Sequence, residues 1–104
     1  MKKIYICSPL KGLDGNYKKN TMYAREIAKQ VFENGDLPIV PHLFFPLIMN
    51  DTNPAEREKA IKMGLELLKM ADCVHVYCRY GVSSGMKKEI DLAIELGIPV
   101  KYMA

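Results

Sequence analysis

The side chain most able to do chemistry in this sequence is Glu89, because it lies on the apolar side of a helical pattern. Residues 84–96 predict a helix, and at about 100° per residue Met86, Ile90 and Ala93 share one face of it. Glu89 is the only charged residue within that face. A carboxylate directed at a core is destabilising unless it is paired, hydrogen-bonded or used in a reaction. A structural role and a catalytic role are therefore both open.

Two short loops could bind an anion near this carboxylate. The loop 81–85 (GVSSG) leads directly into the helix, and helix N-termini offer free amides and a favourable dipole to a phosphate. The same loop equally fits a plain helix start in which Ser83 or Ser84 is only the N-cap. The loop 8–12 (SPLKG) follows the first apolar run, and its Lys11 fits either an anion contact or a solvated position.

The predicted helix 53–70 carries two further candidates, Arg57 in its first turn and Gly64 in its middle. Arg57 fits either a ligand contact near the end of the second strand or a surface ion pair with Asp51 or Glu58. Glycine in a helix interior costs about 1 kcal/mol relative to alanine. Gly64 therefore indicates either close packing or space for a ligand.

The cysteine and histidine pattern argues against a metal centre. Cys7, Cys78 and His42 come from three separate strand ends, without the short-spaced pair that is typical of zinc sites. A Cys–His nucleophile is equally weak, since buried cysteine usually packs as a small apolar residue. Three cysteines without a CxxC motif leave an odd thiol under any pairing, which predicts a reducing cytoplasm.

Length and composition restrict the class of protein. The 104 residues predict a single domain, 1–104, and 49% hydrophobic with 26% charged residues excludes disorder. The net charge of +3 is spread along the chain, which argues against a polymeric nucleic acid as partner. No apolar run approaches the roughly 18 residues of a membrane span. The basic start precedes too short an apolar stretch for a signal peptide.

Apolar runs alternate with helical patterns along the whole chain. Strands are predicted at 4–7, 37–41, 73–78 and 98–103, and helices at 14–34, 53–70 and 84–96. Strands separated by helices indicate a parallel sheet. Pro38, Pro41 and Pro99 assign strands two and four to the edges, because proline cannot donate to a sheet ladder. The prediction is a flavodoxin-like, Rossmann-like three-layer α/β sandwich with strand order 2-1-3-4.

This strand order brings the candidate residues together. The topological switch lies between strands one and three, and ligands of such sheets bind outside the carboxyl ends of the strands at that point. Those ends are the loops 8–12 and 78–81, and His42 follows strand two on the same side. Glu89, about one and a half turns into its helix, is expected near the same edge.

Together these residues resemble the nucleoside 2-deoxyribosyltransferase-like family, which includes 2′-deoxynucleoside 5′-phosphate N-hydrolases. The resemblance runs nearly end to end and is nearest to a small bacterial and phage branch. It rests on YICSPLKG at 5–12, PH at 41–42, AD at 71–72 and SSGMKKE at 83–89. The last segment matches the family's Ser-x-Gly-x-x-x-Glu pattern at every fixed position, from Ser83 through Gly85 to Glu89.

The resemblance implies glycosyl transfer on a nucleoside or nucleotide, and we expect neither a cofactor nor a metal. Glu89 matches the family glutamate that attacks the anomeric carbon of a deoxyribose and forms a covalent glycosyl-enzyme, and Tyr5 matches the tyrosine beside it. Ser83 and Gly85 match residues that hold a 5′-phosphate at the helix N-terminus. The other expected substrate contacts are Ser8, Lys11, Gly12, His42, Arg57, Tyr80 and Ser84.

Three departures from the family pattern bear on the mechanism. The family's acidic residue on the second helix, which handles the leaving base, aligns with Gly64 here. His42, Tyr80 and Asp51 are the candidates to replace it. The basic residue of the first loop is Lys11 instead of the usual arginine. The sequence ends after strand four, whereas characterised members continue into a fifth strand and a tail that can complete a neighbouring subunit's site.

Three functions follow as hypotheses. An N-glycosidase or deoxyribosyltransferase with Glu89 as nucleophile fits the resemblance, and a non-catalytic nucleotide-binding or sensing module is the alternative that Gly64 favours. A redox module with FMN is disfavoured, since no phosphate loop follows strand one and tryptophan is absent.

We expect a small-molecule nucleoside or nucleotide as ligand and a homodimer or higher homo-oligomer. The apolar segment 43–49 (LFFPLIM) fits a lid, a subunit contact or a loop packed on its own domain.

Overall fold

Four parallel strands form one sheet in a computed structural model that describes residues 1–103. The strands β1 to β4 span Lys3–Cys7, Leu37–Ile39, Cys73–Tyr77 and Val100–Met103. The helices α1 to α4 span Tyr17–Glu33, Pro41–Phe44, Pro54–Lys69 and Ser84–Glu95, and a 3-10 turn, Phe45–Leu47, follows α2. The strand order is β2-β1-β3-β4, which confirms the order predicted from the prolines.

The residues of β1 alternate between two helical layers. Ile4 and Ile6 pack in the cluster that α1 contributes to, whereas Tyr5 and Cys7 pack in the cluster formed with α3 and α4. This alternation follows from the two-residue period of a strand. It produces the predicted three-layer sandwich, and it directs Tyr5 and Cys7 to the same side of the sheet as Glu89.

The helix starts explain where the structure agrees with the sequence and where it differs. Asn53 caps α3 through the amides of the next turn, as predicted, with Pro54 in the first helical position. Helix α1 begins at Tyr17 instead of residue 14, because Asn16 caps it and Gly15 has a φ of 68°, outside the helical region. Strand β4 begins at Val100, two residues later than predicted.

The segment after β2 is the largest difference. The strand ends at Ile39 instead of residue 41, and Pro41 opens the short helix α2, where the missing amide proton of proline costs nothing. His42 therefore lies on a helix and not at the strand end. The apolar connection predicted at 43–49 contains the rest of α2 and the 3-10 turn.

No helix within residues 1–103 is long and apolar enough to cross a bilayer. Cys7, Cys73 and Cys78 are all free thiols.

A buried asparagine attaches the loop after β1 to helix α1. Asn20 is fully buried, and its amide nitrogen donates to the carbonyl oxygens of Leu10 and Lys11 at 2.9 and 3.2 Å. Gly12 lies directly against it, since an added Cβ would come within 2.8 Å of Asn20 Nδ2 and the φ of 65° also favours glycine. The sequence analysis missed Asn20, although an asparagine in the same helical stripe as Ala24 is an unusual choice.

We predict that Asn20→Ala lowers the free energy of unfolding by about 1–3 kcal/mol, because two loop carbonyls lose their donor. Urea denaturation measures this change. The matched control is Arg25→Ala on the exposed side of the same helix, which should stay within about 0.5 kcal/mol of the wild type. Equal stability of the two variants would show that Asn20 does not hold the loop.

Candidate active site

A cavity of about 290 Å³ opens at the carboxyl end of β1, on the edge of the sheet where the strand order predicts a ligand site. The loop 78–81 after β3, predicted at the same edge, does not line it. The loop after β1, helix α2 with the 3-10 turn, helix α3 and the start of α4 surround it. Ten of the eleven predicted site residues line it, namely Tyr5, Ser8, Lys11, Gly12, His42, Arg57, Ser83, Ser84, Gly85 and Glu89.

Tyr80 is the exception, and its predicted place in the site is wrong. Its ring packs edge-to-face on Tyr23 at a centroid separation of 5.0 Å, and Lys19 Nζ lies 4.0 Å from its centroid. Both partners belong to α1, so aromatic and cation–π contacts hold Tyr80 on the opposite layer from α4. The structure removes Tyr80 from the candidate proton donors.

Glu89 lines the cavity and contributes a buried carboxyl group, as the helical pattern predicts. Its Oε2 is buried without a hydrogen-bond partner among residues 1–103. The Tyr5 hydroxyl and the Cys7 thiol lie beside the carboxyl group without satisfying that oxygen. Burial raises the pKa of Glu89 to about 7, and the two neighbouring donors lower this pKa only in part. The carboxyl group therefore gains and loses its proton near neutral pH.

Tyr5 and Cys7 are proton-bearing neighbours of Glu89, and the Cys7 thiol donates to the backbone carbonyl oxygen of Met86 at 3.7 Å. Burial, followed by the negative charge of Glu89, raises the pKa of both groups far above their usual ranges. Both therefore stay protonated at neutral pH, and Cys7 is not a thiolate nucleophile. Sequence reasoning treated Cys7 as a small apolar residue, although its position two residues after Tyr5 on the same strand face was the available signal.

A short hydrogen bond joins the loop after β1 to helix α2. Ser8 Oγ and His42 Nε2 are 2.7 Å apart. Burial lowers the pKa of His42 to about 4, so its ring is neutral at pH 7. A neutral imidazole is a poor proton donor, and the structure leaves His42 as a hydrogen-bonding group instead of a general acid.

The start of α4 forms a polar end of the cavity. Ser83 Oγ accepts a hydrogen bond from an amide of the first turn at 3.3 Å, so Ser83 is the N-cap. Nothing within residues 1–103 accepts from the amides of Ser84 and Gly85, and the first turn contains no acidic residue. Lys11 lines the same cavity. These groups can bind an anion such as a phosphate.

Arg57 is available to a ligand. The ion pairs with Asp51 and Glu58 that the sequence left open do not form; Asp51 instead accepts from Tyr17 at 3.1 Å, and Glu58 pairs with Lys62 at 3.5 Å. No ion pair joins Arg57 to any group in the part of the chain that the structure describes. Asp51 and Arg57 both line the cavity.

The wall formed by the 3-10 turn, the segment after it and α3 is mostly apolar. Its members are Phe45, Pro46, Met49, Ala60, Ile61, Gly64 and Leu65. Sequence reasoning identified the segment 43–49 but could not assign it to the cavity. Across residues 1–103, no three His, Cys, Asp or Glu side chains cluster in a way that could hold a metal ion. An anion-binding end and an apolar wall suit a ligand with one charged and one flat apolar part.

Comparison with known proteins gives a family match and similarity to solved structures. The family model described as "Domain of unknown function (DUF7768)" matches residues 2–103. No curated protein matches the sequence. A 2-deoxyribosyltransferase from the psychrotolerant bacterium Bacillus psychrosaccharolyticus, described as a biocatalyst for nucleoside synthesis, has a similar structure, with a TM-score of 0.76 and 20% identity. The alignment covers 96% of this chain and 70% of that chain, and at this identity it shows a shared fold.

We predict that Glu89→Gln stabilises the protein at high pH but not at low pH. The folded state raises the pKa of Glu89 from 4.5 to about 7 and so binds its proton more tightly than the unfolded chain. The wild type therefore loses stability as the pH rises from 4.5 to about 7, whereas the amide does not titrate. The variant should be more stable by about 3 kcal/mol above pH 7.

Urea denaturation at about pH 4.5 and about pH 8 tests this difference. Glu95→Gln, an exposed position on the same helix, is the matched control and should follow the wild type at both pH values. A Glu89→Gln curve parallel to the wild type across this interval would contradict the burial of the charge.

Proposed function

This chain belongs to the DUF7768 family. We propose that it cleaves the N-glycosidic bond of a deoxynucleoside or deoxynucleotide and passes the deoxyribosyl group either to water or to a second base. The observation that supports this most is the buried carboxyl group of Glu89, with a pKa of about 7, in a cavity beside an open helix N-terminus. The fold shared with a 2-deoxyribosyltransferase supports the same class of substrate.

Glu89 acts as the nucleophile in this proposal. A carboxylate oxygen attacks the anomeric carbon of the sugar while the carbon–nitrogen bond breaks, and the base leaves with the bonding electron pair and takes up a proton. Attack of water on the resulting ester releases the sugar and restores the carboxylate, and attack of a second base completes a transfer instead. Because Oε2 lacks a hydrogen-bond partner among the described residues, little desolvation is needed before the attack.

The neighbouring groups have supporting roles. Tyr5 donates toward the carboxylate and orients it. The amides of Ser84 and Gly85 with Lys11 hold a 5′-phosphate, and the capping by Ser83 keeps that helix end in place. Ser8, Gly12, His42 and Arg57 contact the rest of the substrate. None of the three candidate proton donors supplies the proton, since Tyr80 lies elsewhere, His42 is neutral and Asp51 accepts from the Tyr17 hydroxyl, so in this proposal the leaving base takes its proton from water.

A non-catalytic nucleotide-binding module is the second candidate function. Gly64 favours it, because this position of α3 faces the cavity and supplies no acidic group to a leaving base. Such a module would bind a nucleotide at the same helix end and leave its glycosidic bond intact. Glu89 would then contribute only to the shape and polarity of the pocket.

The setting that we propose follows from the same observations. Residues 1–104 act as one domain in the cytoplasm, where three free thiols are stable. The ligands are small molecules instead of polymeric nucleic acids or membranes. The chain forms a homodimer or higher homo-oligomer through the apolar segment at the cavity mouth, in which Phe44, Leu47 and Ile48 are exposed by 54%, 81% and 64%.

We predict that the wild type releases free base from at least one 2′-deoxynucleoside or its 5′-monophosphate, as measured by chromatography. Glu89→Gln and Glu89→Ala should reduce the rate by about a thousandfold or more, because the covalent step is lost. Glu95→Gln is the control and should keep full activity. No base release from any tested compound, with nucleotide binding by calorimetry that survives Glu89→Gln, would favour the binding module.

We also predict that light scattering finds about twice the monomer mass or more for the wild type. Leu47→Lys should shift the protein toward the monomer mass, because a charge replaces the most exposed apolar side chain of the segment. Phe32→Lys, an exposed position on α1, is the control. A monomeric wild type would leave the segment as a lid or a self-packed element.

A further inference from the structure

We propose that Gly64 sets the size of the base that the cavity accepts. The proposal rests on the nucleotide site proposed above, whether or not the bound nucleotide reacts, and concerns the part of the ligand opposite the phosphate. Gly64 is buried, lies near the middle of the 16-residue helix α3, and lines the cavity. A glycine at such a position needs a physical reason, because it costs about 1 kcal/mol relative to alanine.

Neither the backbone nor the packing supplies that reason. The glycines with positive φ in the described chain are Gly12, Gly15, Gly35, Gly81 and Gly97, so the conformation of Gly64 is open to any residue. A Cβ added to Gly64 would lie 3.7 and 3.9 Å from two carbon atoms of Pro41, which is ordinary van der Waals contact. Alanine therefore fits the fold without displacing a neighbour.

The added methyl group would instead take space from the ligand. The added Cβ would also lie 3.9 Å from the Tyr5 hydroxyl oxygen, and Tyr5 is the residue beside the Glu89 carboxyl group. The methyl group would thus lie near the Tyr5 hydroxyl, in the cavity that Ile61 and Leu65 also line. The cavity, at about 290 Å³, is at the small end for a ligand site, so one methyl group matters.

The part of a nucleotide that suits this apolar wall is its flat base. The bicyclic purines need more room there than the monocyclic pyrimidines. An open position at Gly64 therefore favours acceptance of purines, and a side chain at this position should exclude them first. Overpacking a fitted site by a single methyl group commonly weakens binding by about tenfold.

The experiment compares the wild type, Gly64→Ala and Gly64→Ser with 2′-deoxyadenosine and 2′-deoxycytidine 5′-monophosphates as probes. We expect Gly64→Ala to raise the melting temperature, because alanine is the better helix former. We also expect kcat/KM for the purine nucleotide to fall about tenfold, mainly through KM, with less than about a threefold change for the pyrimidine. Gly64→Ser should lower the purine value further.

Calorimetric binding of both nucleotides is measured in parallel in a Glu89→Gln background, with and without Gly64→Ala. Lys62→Ala, exposed on the same helix, is the control for both readouts. A lower melting temperature for Gly64→Ala would mean that packing requires the glycine. Equal losses of kcat/KM and of affinity for the two nucleotides would mean that Gly64 does not select the base. Either result overturns the proposal.

The binding arm separates this proposal from the proposed reaction. If the wild type releases no base but Gly64→Ala selectively weakens purine binding, the reaction fails and the assignment of Gly64 stands. If base release depends on Glu89 while Gly64→Ala changes neither nucleotide selectively, the reaction stands and the assignment of Gly64 fails. If neither nucleotide binds or reacts, both fail.

Discussion

The burial of one carboxyl group against the sheet is the constraint on which the site of this protein depends. Removing a carboxylate from water is unfavourable, and the neighbouring Tyr5 and Cys7 offset that cost only in part, so the pKa of Glu89 rises to about 7. Side chains of β1 alternate between the two faces of the sheet, which places Tyr5 and Cys7 on the face that α4 covers. The helical period of α4 places Glu89 on the side of the helix that faces them. A group held this way costs stability, and buried groups with strongly shifted pKa values concentrate at functional sites.

Much of this arrangement is predictable from local rules. Pro38 lies in β2 and Pro99 directly precedes β4, and both point to edge strands because proline cannot donate to a sheet ladder. That order alone defines the switch point where the cavity lies. The position of Glu89 follows from the spacing of Met86 and Ala93, since helical periodicity is a property of the chain itself. The three-layer architecture then follows from strands and helices in alternation.

The features that sequence reasoning missed depend on contacts between distant residues. Pro41 reads equally as a strand end or as a helix start, because proline is tolerated at both positions. Tyr80 lies three residues after the end of β3, yet its contacts with α1 hold it away from the cavity. The hydrogen bonds of Asn20 and the low pKa of His42 likewise arise from tertiary burial, which no local pattern encodes.

The most direct test of the account is to trap the sugar on Glu89. The protein is mixed with a 2′-deoxynucleoside 5′-monophosphate, quenched in acid within the first turnover, digested and analysed by peptide mass spectrometry. The account predicts a peptide that carries Glu89 and has gained the mass of a deoxyribose phosphate in ester linkage. Release of base with that peptide unmodified, or with the added mass on another residue, would contradict it.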